Sequence, residues 1–63
     1  MLVGFNKSFA LGDKVRVPSQ DYTGEVIEIR AEQNEYLVRY SVPKGRRPYY
    51  ETWWPADYLV KVR

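Results

Sequence analysis

Residues 49–62 read YYETWWPADYLVKV, and the order of residue types in this stretch decides the fold. Tyr49, Tyr50, Trp53 and Trp54 crowd flat, bulky side chains into a run that suits a pleated strand better than a helix, where rings lose rotamer freedom against the preceding turn. Pro55 breaks that strand, Pro55-Ala56-Asp57 makes one tight helical turn, and YLVKV closes as a short strand. Successive side chains on a strand point to opposite faces, so Trp53 and Trp54 cannot fill the same core. One is expected against the core and the other near the surface.

Working back from this unit, the same period of two recurs. In LGDKVRVP, Gly12-Asp13 is turn chemistry, Val15 and Val17 alternate with Lys14 and Arg16, and Pro18 ends the run. SQDYTG reads as a loop around Tyr22. EVIEIRAE is a second strand with Ile27 and Ile29 on one face, and Gln33-Asn34 is a hairpin turn. EYLVRYSV is a third strand, and Pro43-Lys44-Gly45-Arg46-Arg47-Pro48 is a loop bracketed by prolines. Residues 1–11 form an N-terminal arm without pattern, apolar at Leu2, Val3, Phe5 and Phe9. The expected fold is all-β: a five-stranded barrel over residues 12–63 of the SH3-like kind, with one short helical turn before the last strand. Closure would remove the exposed edges of so small a sheet. The expected core is Val15, Val17, Ile27, Ile29, Val38, Leu59 and Val62, with one Trp at the barrel end.

Composition narrows the function. The 63 residues make one domain with a thin core, and they include no cysteine and no histidine. Thiolate nucleophiles, cysteine zinc sites and the usual neutral-pH proton shuttle are therefore absent. Glu25, Glu28, Glu32 and Glu35 fall where polar residues face water, and no carboxylate pair is set in an apolar pocket that would separate their pKa values. No cofactor is expected. Ten Lys/Arg against eight Asp/Glu give a net charge of +2, with Lys44, Arg46 and Arg47 clustered in one loop. The N-terminal MLVGFNKSF is too short and polar for a signal peptide or membrane span, so a cytoplasmic protein is expected.

NEYLVRYS followed by YETWWPADYLVK resembles the chromo-barrel and Tudor-like branch of SH3-like barrels, and GDKVRV with YTGEVIEI is similar to the first two strands of that family. The resemblance covers residues 11–62. It implies a cage of aromatics at one barrel mouth that holds a methylated lysine or arginine: Tyr22, Tyr40 and Tyr50, with Trp53 as the supporting wall. Pro43 stands where chromo-barrels often have a further Trp, which implies a three-sided cage. Ring faces are electron-rich and attract a desolvated cation, each good contact contributing ~0.5–2 kcal/mol. The rival reading is that the rings are core and end-caps.

Two alternatives come from other classes. Three cations beside exposed rings also suit a nucleic-acid strand, with Lys44, Arg46 and Arg47 on phosphates and rings on bases. A more distant resemblance is to plasmid-borne type II dihydrofolate reductases, small barrels that act as tetramers. Their pore-lining Val-Gln-Ile-Tyr-Pro aligns with Glu51-Thr52-Trp53-Trp54-Pro55, where two Trp would crowd a four-fold pore. The reading is thus a non-enzymatic module that presents an aromatic mouth and a basic loop to an extended or cationic peptide, methylated or not. Self-association through the arm, where Phe5 and Phe9 suit a partner subunit, or through an exposed Trp is a further expectation.

Overall fold

A computed structural model describes residues 8–41 and 45–62. Lys44, Pro43 and the arm residues Leu2, Val3 and Phe5 lie outside the described residues. The chain is all-β. Strands β1 (Lys14–Val17), β2 (Tyr22–Arg30), β3 (Glu35–Tyr40), β4 (Tyr50–Pro55) and β5 (Val60–Lys61) form one antiparallel sheet in the order β4-β3-β2-β1-β5. Single 3-10 turns sit at Ala31–Gln33 and at Ala56–Tyr58, the second just before the last strand. The hydrogen-bonded ladder is open between β4 and β5, so the expected barrel closure is not seen in the backbone pairing. No helix among the described residues is long and apolar enough to cross a membrane.

Alternation builds the core. Val15 and Val17 face inward from β1, fully buried, while Lys14 and Arg16 face water. Val26, Tyr36, Val38, Ala56 and Leu59 complete the buried set, with Phe9, Tyr22 and Trp54 packed partly against it. Three expected core members are displaced from it. Ile27 is only half-buried, and Ile29 and Val62 are exposed. On β2 the register with β1 sets the phase: Val15 lies opposite Gly24, so Gly24 and Val26 point inward and Ile27 does not. A bulge follows, with Val26 paired to Val38 and Glu28 to Leu37, so Ile27 is an extra residue and Ile29 comes opposite Tyr36 yet stays exposed.

Two loop readings are also corrected. Tyr22 is the first residue of β2, opposite Val17, because the β1–β2 turn is closed within residues 18–21. Gln20 and Asp21 both donate their amides to the Val17 carbonyl, at 3.0 and 2.7 Å, and Asp21 takes the left-handed backbone conformation. Its carboxylate pairs with Arg16. The β2–β3 connection is the 3-10 turn Ala31–Gln33 ended by Asn34 at φ 54°, rather than a Gln33-Asn34 hairpin turn. Asn34 is among the few non-glycine residues that accept this conformation readily. Its carbonyl then accepts the Ala56 amide at 3.0 Å, tying the end of β4 to the start of β3.

The N-terminal segment is partly integrated into the domain. Phe9 meets Tyr36 edge-to-face at 5.1 Å, and its amide donates to the Tyr36 hydroxyl at 3.4 Å. Phe9 therefore packs on its own chain's core, where the sequence reading had kept it for a partner subunit. Gly12, at φ 88°, donates to the Val26 carbonyl and turns the chain into β1.

Candidate functional site

The inner face of the sheet carries its tyrosines at one end. Tyr40 and Tyr50 are directly paired across β3 and β4, and their rings stack at 5.8 Å and 24°. On the other side Tyr40 lies against Tyr22 at 3.8 Å and 17°. Gly24, next to the Glu25–Arg39 pair, lets β2 and β3 run close together there: a Cβ on it would stand 2.5 Å from the Arg39 carbonyl oxygen. Tyr22 next meets Trp54 at 6.5 Å, and Trp54 meets Tyr58 at 5.6 Å. The result is a continuous aromatic row, Tyr58–Trp54–Tyr22–Tyr40–Tyr50. Tyr58 is exposed and the other four are half-buried, so the row borders both the core and water.

One polar bond fixes the row. The Trp54 indole Nε1–H donates to the Tyr22 hydroxyl at 2.6 Å, joining β2 to β4 over the intervening β3. Burial raises the Tyr22 phenol above its ordinary value of 10.0, opposed by the Trp54 bond, which favours the anion. The neutral phenol is thus favoured in the fold. This contribution to stability is complete below pH 10 and is lost as pH rises through the raised value. Alkaline difference spectroscopy should show a tyrosine ionisation displaced above pH 10, and Tyr22→Phe should remove it. A difference spectrum unchanged by Tyr22→Phe above pH 10 contradicts this placement.

The structure brings together three of the four expected cage residues, Tyr22, Tyr40 and Tyr50. Trp53 is not with them. It sits opposite Leu37 on the outer face, under the Arg30 guanidinium at 4.0 Å, and Arg30 also reaches Glu35 at 3.4 Å. Strand alternation decides this, because Trp54 is the residue paired with buried Tyr36. Trp54, and not Trp53, is the tryptophan beside Tyr22. The rings also differ from a cage in spacing. At 3.8 Å, Tyr22 and Tyr40 occupy each other's faces, and no cation fits between them. A cation–π contact is left to the outer ring faces at the ends of the row.

The outer face has its own pattern. Lys14, Glu25, Arg39 and Glu51 are paired rung to rung across β1, β2, β3 and β4, alternating in sign. Arg39 donates twice to Glu51, from Nε at 3.1 Å and Nη2 at 2.8 Å, and this bond holds its pKa above the usual guanidinium range. Its guanidinium also lies 4.4 Å from the Tyr49 ring. An open groove of about 400 Å³ runs here, lined by Lys14, Thr23, Glu25, Arg39, Pro48 and Tyr49 among others. The sequence reading missed this groove, although the position of Tyr49 beside Tyr50 puts it on the opposite face. Of the expected basic cluster, Arg46 and Arg47 are exposed. Among the described residues no group of three or more Asp or Glu side chains could hold a metal ion.

No protein-family model, curated protein or solved structure matches the chain. The aromatic row and the charged outer face therefore carry the functional argument by themselves.

Proposed function

We propose that the chain is a non-enzymatic binding module of the SH3-like type that holds an extended peptide along its aromatic row. The observation that carries this reading is the row itself: five rings in mutual contact, reaching an exposed tyrosine at one end. Core packing asks for burial, and rings kept half in water on a domain with so little core are better spent on a ligand. Extended peptides are recognised on aromatic-lined surfaces because a preformed chain loses little entropy there. A cationic side chain, Arg or Lys, would lie on the free face of Tyr50 or Tyr58, and methylation would not be required for such a contact. No acid–base pair, thiol or imidazole supports a catalytic reading.

The test is binding of a panel of extended peptides, with arginine, lysine and methylated forms of each, to the native chain and to Tyr50→Ala. Tyr50 lies at the end of the row and its removal is expected to cost about 1 kcal/mol of stability or less. Binding should fall at least about tenfold in the variant, the effect of one lost stacking contact. Unchanged affinity in folded Tyr50→Ala contradicts the reading. The second reading, a nucleic-acid strand, is favoured by exposed Arg46 and Arg47 beside the tyrosines. It replaces the first if a single-stranded oligonucleotide binds where no peptide does, with an affinity that falls steeply with salt.

A further inference from the structure

Strand β4 forms one edge of the sheet, and among the described residues none bonds to the outer side of its backbone. The Ala56 amide donates to Asn34, and Trp54, Thr52 and Tyr50 pair with Tyr36, Val38 and Tyr40 in the same phase. Main-chain groups alternate in direction along a strand, so these even-numbered residues aim theirs at β3. Glu51, Trp53 and Pro55 turn theirs outward. Pro55, which has no N–H to give, stands at an outward position and costs the β3–β4 ladder nothing.

An open row of this kind is a template for another extended chain, and natural edges prevent pairing with charged side chains, prolines, inward charges or bulges. β4 has no lysine, inward charge or bulge, and its proline stands only at the last residue of the strand. Its one charged residue, Glu51, is already neutralised by Arg39. The opposite edge, β5, is only two residues long. We propose that two copies of this chain pair antiparallel through β4, about a two-fold axis at Thr52.

The register follows from chemistry. For the two sheets to continue one another, inward residues must meet inward residues, which leaves axes at Thr52 or at Trp53 near the centre of the strand. With the axis at Thr52, the outward N–H and C=O of Glu51 meet those of the second copy's Trp53, and symmetry repeats the exchange. With the axis at Trp53, the Glu51 carbonyl would face the second copy's Pro55 and find no donor. The Thr52 register also matches the side chains. Thr52 meets its own copy, and Tyr50 meets the second copy's Trp54, an aromatic pair that joins the two rows. On the outer face Glu51 meets the second copy's Trp53, whose ring carries the Arg30 guanidinium, so a cation arrives beside each Glu51. The interface is isologous and closed. It uses the backbone of β4 and the Tyr50 end of the row, and leaves exposed Tyr58 to the proposed ligand, so N-methylation of β4 tests the pairing without removing any ring of the row.

The chain contains no cysteine, so Thr52→Cys introduces its only thiol. Directly opposed residues of a non-hydrogen-bonded antiparallel pair have Cα atoms about 4.5 Å apart, within disulfide reach. Mild oxidation should link Thr52→Cys into a dimer far faster than Gln20→Cys, a control in the exposed β1–β2 turn. Sedimentation equilibrium of the unmodified chain should approach twice 7.5 kDa at near-millimolar concentration. A synthetic chain N-methylated at the Trp53 amide keeps every side chain and should remain a monomer with an unchanged melting temperature. A monomer at every concentration overturns the proposal, and this measurement decides even if Thr52→Cys does not fold. Linking of Thr52→Cys no faster than the control overturns it too, as does faster linking of Trp53→Cys. So does a monomer whose β4 amides respond only to an added peptide, which would make that peptide the occupant of the edge.

Discussion

Gly24→Ala is expected to lower the stability of the domain by about 3 kcal/mol or more, the upper range for overpacking. Gly24 is buried in the middle of the sheet, and a Cβ placed there would stand 2.5 Å from the Arg39 carbonyl oxygen and 2.6 Å from Val38 Cγ1. The first of these is backbone, so relief requires β2 and β3 to move apart. Those strands are the centre of the five-stranded ladder, and their separation would also disturb the contact of Tyr22 with Tyr40. Domains hold only ~0.05–0.15 kcal/mol per residue, so the loss takes most of what a chain of this size has. A urea titration followed by circular dichroism measures it. An alanine variant with the native midpoint would mean that the strands do not cross this closely.

The two adjacent tryptophans are expected to behave very differently. Trp54→Ala removes a ring in contact with Tyr22 and Tyr58, a bond to the Tyr22 hydroxyl and part of the cover over the core, for a loss of about 3 kcal/mol. Trp54→Phe keeps most of the packing and loses the bond, for about 1 kcal/mol. Trp53→Ala removes an outer-face ring and its contact with Arg30, worth about 1 kcal/mol or less. Denaturant midpoints of the three variants rank them directly. If Trp53→Ala is the most damaging, the alternation of β4 has been assigned to the wrong faces.

Much of the fold could be read from the chain because its strands obey a period of two. Val15 and Val17 announce their face by their charged neighbours, and Pro55 announces the end of β4. What could not be read depends on geometry that has no local signature. Val26 rather than Ile27 is in the core because Gly24 lies opposite Val15, yet VIEI alternates equally well in either phase. Tyr22 sits among turn formers, and only the tight closure of residues 18–21 leaves it in β2. The alternation rule correctly separated Trp53 from Trp54, but it could not say which faces inward. That depends on the pairing of Trp54 with Tyr36, a contact set by the β3–β4 register. For the site, Tyr22, Tyr40 and Tyr50 were legible as a group. Their spacing was not, because it depends on how closely β2 approaches β3, which no local residue pattern announces.

The two indole N–H groups offer the most direct test of the aromatic row as a binding surface. Trp54 and Trp53 lie on opposite faces, so a ¹H–¹⁵N correlation spectrum reports each face through one resolved indole signal. The measurement is a titration of the labelled chain with the tightest arginine- or lysine-containing peptide of the panel. Ligand on the row should shift the Trp54 indole, whose hydrogen bond to Tyr22 lies within the site, together with the amides of Tyr40 and Tyr50. The Trp53 indole should stay in place. Shifts confined to Trp53 and the Lys14–Glu25–Arg39 groove would contradict the account, as would no shift at millimolar peptide.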